Sequence, residues 1–304
     1  MSQGATHYIS SDKLSVQDLD RVVSGSKPIA LSRDAEKRIV RCRDYLDEKI
    51  KNAREPIYGI NTGFGSLYNR NISSDQLEKL QENLVKSHAC GTGPAVPDEI
   101  VKLMLFLKVQ SLAYGYSGAQ LITVQRLVDM FNNGVLPQVF EMGSLGASGD
   151  LAPLAHLSLP LIGLGTISFD GNIYGAEEIN KKFNWSPIHF RAKEGLALLN
   201  GTQFMSAYGV WCVLHSHRLL QLSNIIGALS LDVFDGRSEP FLPHVHAIRP
   251  QTGQIEVAKH ILSLLEGSEL IIQQKKHVQD PYSFRCIPQV HGAGAEAIRY
   301  LSNI

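Results

Sequence analysis

This sequence has few cysteines, no net charge and few long uncharged runs. Each of these features argues against a class of protein. The four cysteines lie far apart without a C-x-x-C pair, as expected for reduced thiols in the cytoplasm rather than a disulfide framework. Lys+Arg and Asp+Glu number 29 each, so the chain lacks the excess of basic residues that would predict binding to nucleic acid or to an anionic membrane. No basic segment followed by an apolar one opens the chain, and we therefore expect a cytoplasmic protein.

Two stretches lack acidic and basic residues for long enough to suggest a membrane span, namely residues 151–169 and 195–217. The first contains prolines and glycines, and the second contains amide and imidazole side chains. Both are therefore more typical of buried core than of a membrane span. With 44% apolar residues, the 304-residue chain can bury a large core, as one domain or two.

The stretch Gly143–His156 contains more glycine, alanine and serine than an ordinary core element tolerates. Clustered glycine indicates that the backbone bends tightly or approaches something closely. Attack of the Gly149 nitrogen on the Ala147 carbonyl carbon would close a five-membered ring, and loss of two waters would leave Ser148 as a dehydroalanine. The product would be an electrophile. The alternative is an ordinary glycine-rich loop. The spacing of the glycines and serines excludes both a nucleophile elbow and a P-loop.

Hydrophobic periodicity predicts a mainly α-helical chain with one small β-hairpin. Ser32 is suited to cap the first long helix, and Ser73 with Gln76 forms a capping box ahead of another, whose apolar stripe ends at His88. The Asp170-Gly171 turn between alternating residues predicts the hairpin. Further helices are predicted over residues 98–114, 120–132, 202–233 and 254–265, and from about residue 294.

The longest predicted helix covers residues 202–233, and roughly 30 helical residues span about 45 Å. Apolar side chains on several of its faces cannot be buried within one small subunit, so we expect other helices to pack against it. The stretches 236–253 and 279–292 are predicted to be irregular. The expected fold is thus a long-helix bundle in a single region, 1–304, whose loop-rich part ends near residue 200 and whose bundle begins near residue 201.

The whole of Gly143–His156, and not the tripeptide alone, resembles the signature of the aromatic amino acid ammonia-lyases and aminomutases. Further motifs extend this resemblance from about residue 10 to the last residue. In that family Ala-Ser-Gly becomes methylidene-imidazolone (MIO), so the resemblance implies that Ala147, Ser148 and Gly149 form this electrophile, with no metal or nucleotide needed. It also implies a homotetramer whose active sites each draw residues from three subunits.

Two loop motifs add catalytic residues to the resemblance. The segment Tyr58–Gly65 resembles the family's tyrosine loop, which implies that Tyr58 is the general base that takes the β-proton. The segment Asn200–Gln203 resembles the asparagine motif, which implies that Asn200 hydrogen-bonds the MIO oxygen. Without the resemblance, the alternatives are a surface tyrosine and a helix N-cap.

Two more motifs concern the substrate. The segment Gln279–Arg285 resembles Q-D-x-Y-S-x-R, which implies that Arg285 clamps the substrate carboxylate while Gln279 and Tyr282 line the MIO pocket. A planar guanidinium suits this role because it meets both carboxylate oxygens. The pair Ser87-His88 resembles family members that act on histidine, whereas phenylalanine and tyrosine lyases usually carry Phe-Leu and His-Leu there. His88 would then hydrogen-bond the substrate imidazole. A surface ion pair and a core histidine are the alternatives.

The resemblance as a whole implies non-oxidative elimination of ammonia from L-histidine to give trans-urocanate. The alternatives are an aminomutase, another aromatic amino acid lyase, or a non-catalytic fragment that keeps the motifs. One departure matters, because the family's chains usually continue with further bundle helices and a pocket glutamate beyond the point that corresponds to Ile304. We therefore expect this chain alone to be a weak catalyst or none.

Overall fold

The computed structural model describes residues 6–23, 27–52, 55, 57, 59, 60, 62, 74–145 and 149–304. The chain divides into two compact units, Met1–Gly209 and Val210–Ile304. Its helices are α1 (Val16–Val23), α2 (Arg33–Asn52), α3 (Ser74–His88), α4 (Asp98–Ala113), α5 (Leu121–Asn132), α6 (Leu151–Ser158), α7 (Ala176–Lys182), α8 (Glu194–Leu199), α9 (Gln203–Val233), α10 (Pro243–Ala247), α11 (Thr252–Leu264), α12 (Tyr282–Arg285) and α13 (Ile287–Ser302). Its strands are β1 (His7–Ile9), β2 (Ile29–Leu31), β3 (Thr92–Ala95), β4 (Leu136–Pro137), β5 (Phe140–Met142), β6 (Thr166–Phe169) and β7 (Asn172–Gly175).

Helix α4 forms the buried centre of the first unit. Buried side chains lie on all its faces, and the largest include Phe106 and Lys108. Helices α5 and α2 pack against it, as do the short elements β4, α1 and β1. A helix covered on all sides is apolar all round rather than amphipathic, and Lys108 interrupts that pattern.

Helix α2 begins where the sequence predicts. The Ser32 Oγ accepts a hydrogen bond from the Ala35 N–H at 3.2 Å, which satisfies one of the unpaired donors of the first turn. On the inward face of the same helix, the buried Arg43 donates to the carbonyl oxygens of Gly118 at 2.6 Å and Ala192 at 2.9 Å. Helix α2 is thus attached to two loops of the first unit.

The predicted hairpin is confirmed as the antiparallel pair β6 and β7, which β4 extends to three strands. Asp170 and Gly171 at its turn have φ values of 50° and 73°. Both are positive, as a two-residue type I′ turn requires. Elsewhere, β1 pairs with β2 in parallel and β3 with β5 antiparallel.

The predicted long helix is confirmed as α9, which has 31 residues. In the second unit, α11 packs closely against α13. A Cβ added to Gly253 would lie only 2.3 Å from the Gly292 carbonyl oxygen, so glycine is required there. None of the described helices is both long enough and apolar enough to cross a bilayer.

Two sequence predictions for the second unit are wrong. Residues 236–253 contain α10, and the last helix begins at Ile287 rather than near Gly294. Pro288 lies in the first turn of α13, where its missing N–H has no helical acceptor in any case. Gly292, which suggested irregular backbone, instead allows the close packing against α11.

Glu194 joins the start of α8 to the start of α5. Its carboxylate is fully buried and accepts hydrogen bonds from the backbone N–H of Gln120 at 2.8 Å, the Thr123 hydroxyl at 2.7 Å and the Arg191 N–H at 2.8 Å. The Gln120 side chain donates a further bond at 2.6 Å. Since α8 leads directly into Asn200, this carboxylate helps to place the candidate site.

We expect Glu194→Gln to reduce the free energy of unfolding by about 2–3 kcal/mol, because an amide NH₂ would face groups that are themselves donors. Urea denaturation of the variant and the unchanged protein measures the difference. Glu178→Gln, on the exposed surface of α7, is the matched control and should change stability by less than about 0.5 kcal/mol. If Glu194→Gln were as stable as the unchanged protein, this would contradict the claim that the groups around the Glu194 carboxylate act as donors.

Candidate active site

Gly149 and Gly201 lie side by side in a parallel β-bridge. Gly149 has φ +99°, and a Cβ added to it would lie 2.3 Å from the Gly201 carbonyl oxygen. That oxygen also accepts the Asp150 N–H at 2.8 Å. Because no side chain fits at position 149, only glycine permits this approach of the signature to the asparagine motif.

Asp150 ties three segments together. One carboxylate oxygen accepts the Ser144 hydroxyl at 3.0 Å, and the other accepts the Met205 backbone N–H at 3.0 Å. Its own carbonyl oxygen accepts the Leu154 N–H at 3.0 Å in the first turn of α6. The side chain is buried, so its two charge-assisted bonds hold Ser144, near the start of the signature, and the first turn of α9 against Asp150.

Asn200 lies between α8 and α9. It is the residue that follows α8 rather than an N-cap of α9, which corrects the structural alternative considered from the sequence. Its Nδ2 donates one hydrogen bond to the Leu196 carbonyl oxygen at 3.2 Å. An amide nitrogen carries two protons, so the side chain retains a second donor.

Lys108 is the residue of this site that the sequence analysis missed. It is 1% exposed, and its Nζ donates to the Asn200 carbonyl oxygen at 3.1 Å and to the Gln203 Oε1 at 3.5 Å. Burial lowers the pKa of Lys108 to about 7. The available signal was a single lysine within the apolar run 103–109, because such a residue is normally excluded from a helix buried on all sides.

The Lys108 amine makes stability depend on pH in a definite direction. The unfolded lysine binds its proton up to a pKa near 10.4, whereas the folded one releases it near about 7, so stability should rise with pH between these values. We expect Lys108→Met to be most stable relative to the unchanged protein below pH 7. This advantage should shrink by up to about 1.4 kcal/mol per pH unit above it. Urea denaturation of both proteins from pH 6 to 9 tests this, and parallel curves would contradict it.

His88 is the last residue of α3, which packs against both α6 and α8. Its Nδ1 lies 2.8 Å from the Leu84 carbonyl oxygen and 3.2 Å from the Ser87 hydroxyl. A carbonyl oxygen can only accept, so Nδ1 carries the proton. In neutral His88 the Nε2 atom is then an acceptor, and no hydrogen bond engages it among the described residues. The side chain is half-buried rather than fully inward.

His156, the last residue of the signature, lies behind this region. Its Nε2 accepts the Gly91 N–H at 3.0 Å, and burial lowers the pKa of the imidazole. The ring is therefore neutral near pH 7 and serves as a fixed acceptor. Gly143 also packs closely against Gly91, since a Cβ added to Gly143 would lie 3.0 Å from the Gly91 Cα. Both contacts hold the segment after His88 against the signature.

The second unit brings three predicted substrate-binding residues together. When the Gln279 amide is oriented to satisfy its neighbours, its oxygen accepts from Arg285 Nη2 at 2.9 Å and Nε at 3.2 Å. The same guanidinium lies 3.9 Å above the ring of Tyr282, which is 72% exposed. Gln279 and Tyr282 thus restrain the guanidinium from two sides, and its Nη1 edge has protons left for an anion.

Asp280 fixes the backbone of the segment that carries Gln279, Tyr282 and Arg285. Its buried carboxylate accepts the Arg237 backbone N–H at 2.6 Å and lies 2.6 Å from the His277 Nε2. The neighbouring Gln279 and Tyr282 side chains are exposed. A fixed residue between exposed ones holds the segment while its binding groups remain accessible.

The predicted site residues therefore fall into three sets. The first unit pairs Gly149 with the Asn200 segment and packs the helix of His88 nearby. The second unit groups Gln279, Tyr282 and Arg285. Tyr58, Ala147 and Ser148 lie outside the described residues, as does Ser73 of the predicted capping box. Within the described residues there is no cluster of three or more His, Cys, Asp or Glu side chains that could hold a metal.

The chain belongs to the aromatic amino acid lyase family, whose sequence model matches residues 14–304. Histidine ammonia-lyase from Streptococcus sanguinis (strain SK36) is 41% identical to it over 299 residues, which make up 97% of this chain and 58% of the relative. The resemblance of the chain to this family is thereby confirmed.

Solved structures agree with the fold. Histidine ammonia-lyase from Trypanosoma cruzi superposes with a TM-score of 0.85 at 34% identity, over 98% of this chain and 56% of that one. The ergothioneine-degrading enzyme ergothionase from Treponema denticola superposes with a TM-score of 0.90 at 28% identity, over 98% of this chain and 60% of that one. The chain thus spans a little over half the length of the relatives it matches.

Proposed function

We propose that this chain carries the histidine-binding and MIO-forming part of a histidine ammonia-lyase, which converts L-histidine to trans-urocanate and ammonia. The observation that carries the proposal is the Gly149–Gly201 bridge, which sets the signature glycine against the asparagine motif. The 41% identity to a histidine ammonia-lyase supports the choice of substrate. Location in the cytoplasm is part of the same proposal and is supported by the four widely spaced cysteines.

The described residues fit a ring formed from Ala147, Ser148 and Gly149. A residue with a side chain cannot occupy position 149, and the amide of the cyclising glycine needs no Cβ beside it. Asp150, held by Ser144 and Met205, fixes the exit of the turn. When formed, MIO supplies an electrophile that withdraws electrons from the substrate amine.

Other residues of the chain bind the substrate and move its proton. The second N–H of the Asn200 amide would donate to the oxygen of this ring, which would make the ring a stronger electron acceptor. Arg285 binds the substrate carboxylate through its Nη1 edge, while Gln279 and Tyr282 hold the guanidinium in position. Tyr58 is the proposed base that removes the β-proton.

His88 provides the proposed specificity for imidazole. Its Nδ1 proton is held by the Leu84 carbonyl, which leaves Nε2 as an acceptor for the N–H of a substrate imidazole. A phenyl ring offers no such donor and would leave Nε2 unpaired. Hydrogen-bonding sites reject substrates that lack the matching group.

Measuring the product decides between the proposed lyase and an aminomutase. A lyase gives urocanate and ammonia in equal amounts, whereas an aminomutase gives β-histidine without net ammonia. The comparison should use this chain beside one extended to the length of its relatives. Urocanate from the extended form alone would support the lyase and a role for the additional segment. Release of neither product from the extended form would overturn the proposal.

Helix α9 supports association with further helices. Leu219, Leu222, Ile226, Leu229 and Val233 are each at least half exposed, and their spacing alternates between three and four residues. This is the spacing of a seam between packed helices. Monomeric proteins rarely expose an apolar patch of this kind. We therefore propose that α9 packs in a homotetramer, with helices of the additional segment and of neighbouring chains.

We expect Leu229→Lys to weaken this association, because it places a charge within the seam. Its matched control is Ser230→Lys, which adds the same charge to an exposed position one residue away. Size-exclusion chromatography with light scattering on the extended chain measures the shift toward smaller species. The control should retain the assembly. A stable monomer with full turnover in the unchanged 304-residue chain would show that both the seam and the shared site are wrong.

A further inference from the structure

Lys108 is a buried ionisable group that the proposed elimination does not use. It is 1% exposed, and the described residues offer its Nζ two carbonyl-type oxygens but no carboxylate. A buried cation is costly unless it is paired. Its presence in a helix with buried side chains on every face therefore needs an explanation other than stability.

Packing does not supply that explanation. Most neighbouring buried positions of α4 are apolar, including Met104, Phe106 and Val109. A methionine at position 108 would fill a similar volume without the cost of removing an amine from water. Since stability alone favours an apolar residue there, the hydrogen bonds made by Nζ are the feature that distinguishes lysine.

Both acceptors belong to one short segment. Asn200 and Gln203 lie at its two ends, and Gly201, with φ +148°, lies between them. Glycine places few limits on its own backbone, so a segment containing it needs restraint from its surroundings. Lys108 spans the segment and holds both ends, while the Gly201 carbonyl between them receives the Asp150 N–H.

We propose that Lys108 is a positioning residue that fixes the Asn200–Gln203 segment against Gly149 and thereby aims the Asn200 amide. This inference rests on the proposed role of Asn200 in the elimination. Lys108 contacts the segment through the Asn200 backbone oxygen and the Gln203 amide oxygen. It therefore acts on the reaction only through Asn200. Without its Nζ, the segment keeps its pairing with the signature but loses the restraint on both of its ends.

The first test does not depend on turnover. Hydrogen exchange measured by mass spectrometry compares Lys108→Met with Lys102→Met, a matched substitution on the same helix. Lys102 is half-buried, and its Nζ lies over the Phe131 ring, 5.2 Å from the ring centroid, rather than beside the segment. We expect Lys108→Met to raise exchange in residues 199–206 by about tenfold or more while α4 stays protected. Equal exchange in both variants would overturn the proposal.

The second test separates positioning from loss of fold. Turnover of the extended chain is expressed per MIO-bearing molecule, counted by intact mass. In Lys108→Met we expect kcat to fall by about tenfold or more while KM for histidine changes by less than about twofold, since the lost restraint acts in the transition state. Lys108→Arg, which keeps a donor, should recover part of kcat. Unchanged turnover per MIO-bearing molecule would overturn the positioning role.

The two tests also distinguish this inference from the proposed function. If the unchanged extended chain forms no urocanate, the proposed function fails, and with it the catalytic consequence assigned to Lys108. The exchange comparison still decides whether Lys108 restrains the Asn200 segment. If the unchanged chain is active and only the Lys108 comparisons fail, the proposed function stands and the positioning role does not.

Discussion

The intact mass of the folded protein should be lower than its sequence mass by two water molecules, and Gly149→Ala should abolish this loss. Alanine at 149 would have to adopt φ +99° with its Cβ 2.3 Å from the Gly201 carbonyl oxygen, so the bridge to the asparagine motif cannot form. The methyl group would also crowd the amide nitrogen that attacks the Ala147 carbonyl. Electrospray mass spectrometry of both proteins measures the difference directly.

Gly134→Ala is the matched control for that substitution. Gly134 also has a positive φ, +65°, but a Cβ added there meets nothing within 4 Å. It should cost about 1 kcal/mol of stability and leave the mass loss intact. An unmodified mass in both the 304-residue chain and the extended chain would show that the signature does not cyclise. Loss of two waters from Gly149→Ala would contradict the geometric requirement for glycine.

His88→Phe should lower kcat/KM for histidine and raise it for phenylalanine in the extended chain. The substitution removes the Nε2 acceptor that Leu84 leaves available and adds an apolar ring that tolerates a phenyl group. An unpaired buried partner costs about 1–3 kcal/mol, so the preference should shift by about tenfold or more. Urocanate and cinnamate formation, followed separately, give the two specificity constants.

His189→Phe serves as the control for this change. The His189 side chain is 83% exposed in the first unit, and its removal should leave the ratio of the two specificity constants unchanged. An unchanged ratio in His88→Phe as well would show that His88 is a structural residue. Its role would then be limited to the hydrogen bonds that Nδ1 makes at the end of α3.

Local residue patterns were sufficient to predict much of the fold. Ser32 caps α2 through its own hydroxyl, and the Asp170-Gly171 turn forms because both residues tolerate a positive φ. The stretch from residue 203 to 233 forms α9 because it is rich in apolar residues and contains no proline that would break a helix. Each of these features depends on interactions between residues close in sequence, so the order of residues along the chain determines them.

The glycines of the second unit show where local patterns mislead. Gly292 closed the stretch that was predicted to be irregular, yet it lies within α13. Helix propensity penalises an interior glycine by about 1 kcal/mol, but close packing against Gly253 on α11 accounts for the presence of Gly292. A contact between residues nearly forty positions apart cannot be recognised from the neighbours of either glycine.

The sequence by itself determined the signature, the motif residues and the family, because the residue types of a chemical site are set by the chemistry they perform. Only the tertiary structure decided which backbones meet. It placed Gly149 against Gly201, joined Gln279 and Tyr282 to Arg285, and put the Lys108 amine beneath Asn200. Lys108 is 92 positions from Asn200 in the chain, and burial, which alone makes its amine unusual, arises only when α4 is covered on every side.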